Sequence, residues 1–93
     1  MKEITMFYLE SCPYCKKAAK AIEELQAENE RYRAIPIRRI EESQDPETAE
    51  KYDYWSVPSM FVSGEKLYEA TMWQDYEEIR DNIKRVFDTV LEN

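Results

Sequence analysis

The chain has 93 residues, 43% of them hydrophobic and 35% charged, which is enough for one domain with a modest core and too little for two. Thirteen basic against twenty acidic residues leave a formal net charge of −7, which repels nucleic-acid phosphates and anionic membrane surfaces and argues against both as partners. Histidine is absent, which excludes Cys/His and Ser/His/Asp catalysis and any zinc site with a histidine ligand, so the chemistry must use cysteine.

Met1-Lys2-Glu3 runs straight into a short mixed apolar stretch. Neither the apolar core of a signal peptide nor a run of about 18 apolar residues follows, so the expectation is a cytoplasmic protein, monomeric, with residues 1–93 as a single domain. In a reducing compartment a lone pair of cysteines spaced C-x-x-C is more often catalytic or metal-binding than structural. The single glycine excludes a phosphate-binding glycine loop or a dinucleotide fingerprint.

In chain order, Glu3 to Leu9 is rich in β-branched, aromatic and other apolar side chains without helical spacing and predicts a strand buried on both faces. Glu10 and Ser11 make a short loop, and Cys12-Pro13-Tyr14-Cys15 opens a helix, with Pro13 in the first turn, where its missing N–H is no loss. Cys15, Ala18, Ala19, Ile22 and Leu25 form the apolar stripe of that helix, which ends near Asn29. Tyr32 to Ile40 reads as a second strand, and Pro36, which cannot donate to a ladder, assigns it to the sheet edge.

Asp45-Pro46 is a helix-start signal, and Ala49 and Tyr52 give the helix an apolar side over about two turns. Tyr54 to Pro58 is a loop. Ser59 to Ser63 and Lys66 to Thr71 pair as a hairpin turning at Ser63-Gly64-Glu65. Asp75 with Glu78 forms a capping box ahead of a last helix with Ile79, Ile83, Val86, Phe87, Val90 and Leu91 on one stripe. The order βαβαββα predicts an α/β fold: a four-stranded mixed sheet, parallel between its first two strands, with helices on both faces.

The cysteine pair at the first strand–helix junction, together with a Val57-Pro58 that opens the third strand, resembles the thioredoxin fold over nearly the whole chain, and Cys12-Pro13-Tyr14-Cys15 is similar to the redox pair of dithiol glutaredoxins. Ser56-Val57-Pro58 stands where that family has Thr-Val-Pro, and the resemblance implies that Pro58 is cis and lies against the cysteines. The chain departs from glutaredoxins at Leu9, where many have a basic residue, and at Tyr68-Glu69-Ala70, where they have Gly-Gly. Those places receive the carboxylates of glutathione in the family, so the expectation is weak coupling to glutathione. Thioredoxin itself differs at the cysteines, where its sequence is Trp-Cys-Gly-Pro-Cys, and by a buried acid six residues before the first cysteine, where Met6 stands here.

Two thiols three residues apart at a helix start are close enough to form a disulfide, and the amides of the first turn favour the thiolate of the outer one. Cys12 is therefore the expected nucleophile and Cys15, one turn on and facing the core, the resolving thiol. Pro13, Tyr14, Trp55, Val57 and Pro58 are the expected substrate contacts. The backbone at Val57 could pair with an extended substrate. Lys16 and Lys17 add positive potential near Cys12 and Glu10 opposes it.

Disulfide-containing proteins or small disulfides are the expected substrates, with a reductase or glutathione as electron donor and no bound cofactor. The alternative is a module that binds a metal or an iron–sulfur cluster shared between two subunits. Tyr52, Tyr54 and Phe61 read as core. Trp55 reads as a substrate contact or a lid on the core, Tyr14 as part of the rim, and Tyr68 and Trp73 as space-filling or binding groups.

Overall fold

The computed structural model describes residues 1–92. Its elements are β1 (Ile4–Tyr8), α1 (Pro13–Glu28), α2 (Glu30–Arg33), β2 (Ile37–Glu41), α3 (Pro46–Ala49), β3 (Ser59–Val62), β4 (Glu65–Glu69) and α4 (Tyr76–Glu92). The strands form one sheet in the order β2-β1-β3-β4, with β1 parallel to β2 and antiparallel to β3, and β3 antiparallel to β4. This is the thioredoxin-like α/β architecture expected from the pattern of elements, with β2 at an edge.

The alternation of side chains along each strand divides the core in two. Ile4 and Met6 of β1 and Met60 and Val62 of β3 join the buried faces of α1 and α4 in the main cluster. Phe7, Ile40 and Phe61 point to the other face, where Ala49, Tyr52, Tyr54 and Val57 pack on them. The ring centroids of Phe7 and Phe61 lie 4.8 and 4.9 Å from that of Tyr52. Tyr52 and Tyr54 thus cover the second face, half-buried, while Phe61 is buried within it. On α1 the stripe includes Ala21, and Ala19, expected in it, is exposed.

Three boundaries differ from the expectation. Tyr32 to Ile40 is not one strand: Asn29 ends α1 and at once caps a new turn, its Oδ1 accepting from the Arg31 amide at 2.9 Å. Tyr32 is carried inward on α2, 5% exposed, and its hydroxyl donates to Asp88 at 2.5 Å. Pro36 stands just before β2, where its carbonyl accepts from the Ile4 amide at 2.9 Å and its missing N–H costs the ladder nothing.

The helix begun by Asp45 is a single turn. Asp45 Oδ1 accepts from the Thr48 amide at 3.3 Å, but the amides of Lys51 and Tyr52 bond three residues back, to Thr48 and Ala49. The partner strand of the hairpin is Glu65–Glu69, shorter and earlier than Lys66 to Thr71. Ser63 and Gly64 both have positive φ, 53° and 82°, as a two-residue hairpin turn between Val62 and Glu65 requires.

The last helix matches its capping box: Glu78 donates its amide to Asp75 Oδ1 at 2.8 Å, and the Asp75 amide donates back to Glu78 Oε1 at 3.3 Å. Ile79, Ile83, Val86, Phe87 and Val90 are buried on α4, with Leu91 at the margin of the cluster. No helix among the described residues is long and apolar enough to cross a membrane.

Candidate active site

The parallel pair β1 and β2 end on the same side of the sheet, and the chain leaving β1 turns there into α1. Antiparallel pairing sets Ser59 opposite Phe7, so the loop before β3 arrives at that same end. Two segments distant in sequence, 9–15 and 54–58, meet there.

Cys12 is the N-cap of α1, in extended backbone with Pro13 following, and makes no side-chain cap bond to the first-turn amides. The Cys12 amide donates to the Leu9 carbonyl at 3.2 Å and its carbonyl accepts from the Lys16 amide at 3.1 Å, which closes the first helical turn. Its half-buried thiol faces the Val57 carbonyl, Sγ to O 3.7 Å. The Val57-Pro58 bond is cis, as the family resemblance implied.

Cys15 lies behind it, 3% exposed, and the two form no disulfide. Burial pushes its thiol up to about 12; the Leu9 amide, 3.5 Å from Sγ, works against that, and Cys12 and Glu42 add to it. The two sulfurs therefore occupy unlike surroundings, one half-exposed at the cavity and one held as a thiol.

The other expected residues fall around this pair. Pro13 is exposed and Val57 lines the cavity opposite Cys12, whereas Pro58, expected as a substrate contact, is fully buried and does not line it, because it leads directly into β3, every residue of which is buried. Tyr14 is half-buried, and its hydroxyl accepts from the Trp73 amide at 2.9 Å, so it holds the loop after β4 as well as forming the rim. Trp55 is 92% exposed beside the cavity at Cys12 and does not cover the core.

Lys17 sits 5.9 Å from the Tyr14 ring centroid, and Lys16 lines a separate small pocket behind Cys15. Tyr68 is buried in the main cluster and donates to Gln74 at 2.8 Å, whereas Trp73 is 86% exposed with a left-handed φ of 71°. Of these two, Tyr68 alone fills space.

Two carboxylates escape sequence reading. Glu69 accepts from the amides of Trp55 at 2.5 Å and Ser56 at 2.7 Å, and its other oxygen pairs with Lys66 at 2.7 Å. It ties the end of β4 to the loop that presents Val57. Ser59, fully buried, closes the same loop by donating to the Ser56 carbonyl at 2.5 Å.

Glu42 lines the cavity with Cys12, and its Oε1 accepts from the Tyr54 hydroxyl at 2.8 Å, which together with burial pushes the Tyr54 phenol upward. The available signal was position alone: Glu42 follows the carboxyl end of a parallel strand, where open α/β sheets gather their binding groups. No group of three or more potential metal ligands forms among the described residues.

With this geometry, the chain matches the family model described as thioredoxin domain over residues 2–84, and it belongs to that family. Among solved structures it is similar to a thioredoxin-like protein from Clostridium perfringens, at 27% identity and a TM-score of 0.62, covering 96% of this chain and 70% of that one. It is similar also to thioredoxin 1 from Thermosipho africanus, at 17% identity and a TM-score of 0.59 over 95% of this chain and 97% of that one. A mutant thioredoxin from Halobacterium salinarum aligns at 22% identity and a TM-score of 0.57, over 90% and 73% of the two chains. A search among curated proteins finds no match. Membership supports thiol–disulfide oxidoreductase chemistry at the level of the class.

Proposed function

We propose that the chain is a dithiol disulfide reductase that works through Cys12 and Cys15, of glutaredoxin-like type in its cysteine sequence but weakly coupled to glutathione. The observation that carries the reading is the asymmetry of the pair: Cys12 half-exposed at a helix N-terminus, Cys15 buried behind it. The thiolate of Cys12 attacks one sulfur of a substrate disulfide, forms a mixed disulfide and expels the other sulfur as a thiolate, which takes up a proton. Cys15 then gives up its proton and attacks Cys12 Sγ. The second substrate thiol leaves, two electrons have passed to the substrate, and the protein holds a Cys12–Cys15 disulfide that an external thiol or dithiol donor must reduce.

Val57, with its carbonyl at Cys12 and the following peptide cis, offers backbone to an extended substrate next to the reacting sulfur. Burial of Cys15 holds it as a thiol until the mixed disulfide forms, so it does not compete for the substrate. Weak glutathione coupling is supported by the cavity wall: Leu9 and Glu42 line it and no Lys or Arg does, so no cation there receives a carboxylate.

The test is turnover of a protein disulfide with two donor systems, glutathione with its reductase and a flavoprotein thioredoxin reductase, each supplied with NADPH. Disulfide reduction is expected with dithiothreitol and with the flavoprotein, at least about tenfold faster than with glutathione, a gap of about 1.4 kcal/mol in barrier. Equal turnover with glutathione would refute the donor assignment. Full activity in Cys12→Ser would refute the nucleophile.

A further inference from the structure

The cavity beside Cys12 has a volume of about 280 Å³, and Glu42 is the one charged side chain on its wall. Glu42 is half-buried, with Oε1 engaged by Tyr54. No cation pairs with it: the ion pairs among the described residues are Lys66 with Glu69, Arg80 with Glu28 and Lys84 with Asp88. A partly desolvated carboxylate without a counter-ion, in a chain of net charge −7, makes a local potential that favours a cation and disfavours an anion.

Beside the hydroxyl-bearing Tyr14, Ser56 and Thr71, the wall carries two large apolar side chains that are open to water. Trp55 is 92% and Met72 74% exposed, and both line the same cavity. Exposed large side chains grouped around a cavity are the mark of a surface that meets a partner. Neither segment hangs loose. Glu69 fixes the amides of Trp55 and Ser56, and the Tyr14 hydroxyl fixes the amide of Trp73 next to Met72. The apolar groups are thus offered in place, and little ordering is left to be done on binding.

We propose that this cavity selects polypeptide disulfides in which a lysine or arginine lies within a residue or two of the reacting cysteine with an apolar residue beside it, the cation meeting Glu42 and the apolar side chain meeting Trp55 and Met72. The inference rests on the redox reading above and names its substrate class. Small anionic disulfides meet the same carboxylate as a repulsion, so the selectivity works both by attraction and by exclusion.

The experiment uses three short peptides of equal length, each with one cysteine capped as the mixed disulfide of 2-mercaptoethanol. The first carries Cys-Lys-Leu and the second Cys-Glu-Leu. The third carries Cys-Ser-Leu with its lysine six residues away. With dithiothreitol as donor, kcat/KM for the first is expected to exceed that for the second and the third by roughly three- to tenfold. E42Q, which keeps an acceptor for Tyr54, is expected to bring the ratios close to one. W55A, which removes an exposed side chain, lowers all three together.

Equal rates for the three peptides, or ratios unchanged in E42Q, would overturn the assignment. Enhancement by the remote lysine equal to that by the adjacent one would overturn it too, since overall charge would then explain the preference. Serine versions of the peptides, titrated against the fluorescence of Trp55 and Trp73, separate the surface from the chemistry. A Glu42-dependent binding preference without reduction of any cysteine peptide would sustain the surface and refute the redox reading. Reduction with neither binding nor rate preference would do the reverse.

Discussion

At the scale of single residues the account turns on the unlike surroundings of two thiols. Cys12 is half-buried and faces Val57, while Cys15 is 3% exposed with its thiol pushed up to about 12 by burial. Iodoacetamide at neutral pH is therefore expected to label Cys12 and spare Cys15 in the native reduced protein, and to label both after denaturation. Peptide mass mapping checks this, and native labelling of Cys15 ahead of Cys12 would contradict the assignment. The outer cysteine at a helix start and the Pro13 that follows it were legible in the sequence because each depends on a local pattern, whereas the cis bond at Pro58 came only from the family resemblance. Glu42 and Glu69 were not legible. Each is one acid among twenty, and its meaning arises from a contact with a residue 12 to 14 positions away in sequence.

At the scale of elements, the helix starts were legible because capping is local chemistry: Cys12-Pro13, Asp45-Pro46 and Asp75 with Glu78 all open helices. The end of α1 at Asn29 was legible, but the turn that follows was misread as strand because Tyr32, Ala34 and Ile35 imitate a strand pattern, and the signal that overrides it is one asparagine capping a four-residue turn. The link between β4 and the loop before β3 is where an element controls the site. Glu69→Ala would leave the Trp55 and Ser56 amides without their acceptor and Lys66 without its partner, and is expected to cost about 1–3 kcal/mol in stability. It is also expected to lower kcat/KM for disulfide reduction more than Lys66→Ala does. Urea denaturation and steady-state kinetics on both variants check this. Equal kinetic effects would mean that Glu69 acts only through its ion pair.

At the scale of the molecule, the two faces of the sheet carry different work: α1 and α4 supply the main core, and a small aromatic cluster covers the other face beside the site. The fold class, the parallel pairing of β1 with an edge β2 and the β3–β4 hairpin were legible from the succession of elements, because a β-α-β unit and a hairpin leave few ways to build one sheet; the pairing of β1 with β3 came from the structure. Burial also sets the pH window of stability. Burial, the largest single influence, pushes Glu69 and Asp88 up, but their hydrogen bonds and neighbouring cations together outweigh it and hold both below the usual value. Their contribution is present above the ordinary carboxylate range and lost as pH falls through their folded values.

On the alkaline side burial raises Cys15 from 9.0 and Tyr68 from 10.0, each to about 12. Their contribution is complete below pH 9 and lost as pH rises toward 12, because the unfolded chain ionises first. Urea midpoints are expected to stay level from about pH 5 to 9 and to fall on either side, with a shallower alkaline fall in Cys15→Ala. An alkaline slope unchanged in that variant would contradict the buried state of Cys15.

The central claim is the order of attack, Cys12 first and Cys15 second, and its most direct measurement is trapping. Cys15→Ser and Cys12→Ser are each mixed with a disulfide-bonded protein, quenched with acid and read by intact mass without reduction. The account predicts a covalent mixed disulfide with Cys15→Ser, joined through Cys12, and none with Cys12→Ser. Trapping by Cys12→Ser in place of Cys15→Ser would contradict it.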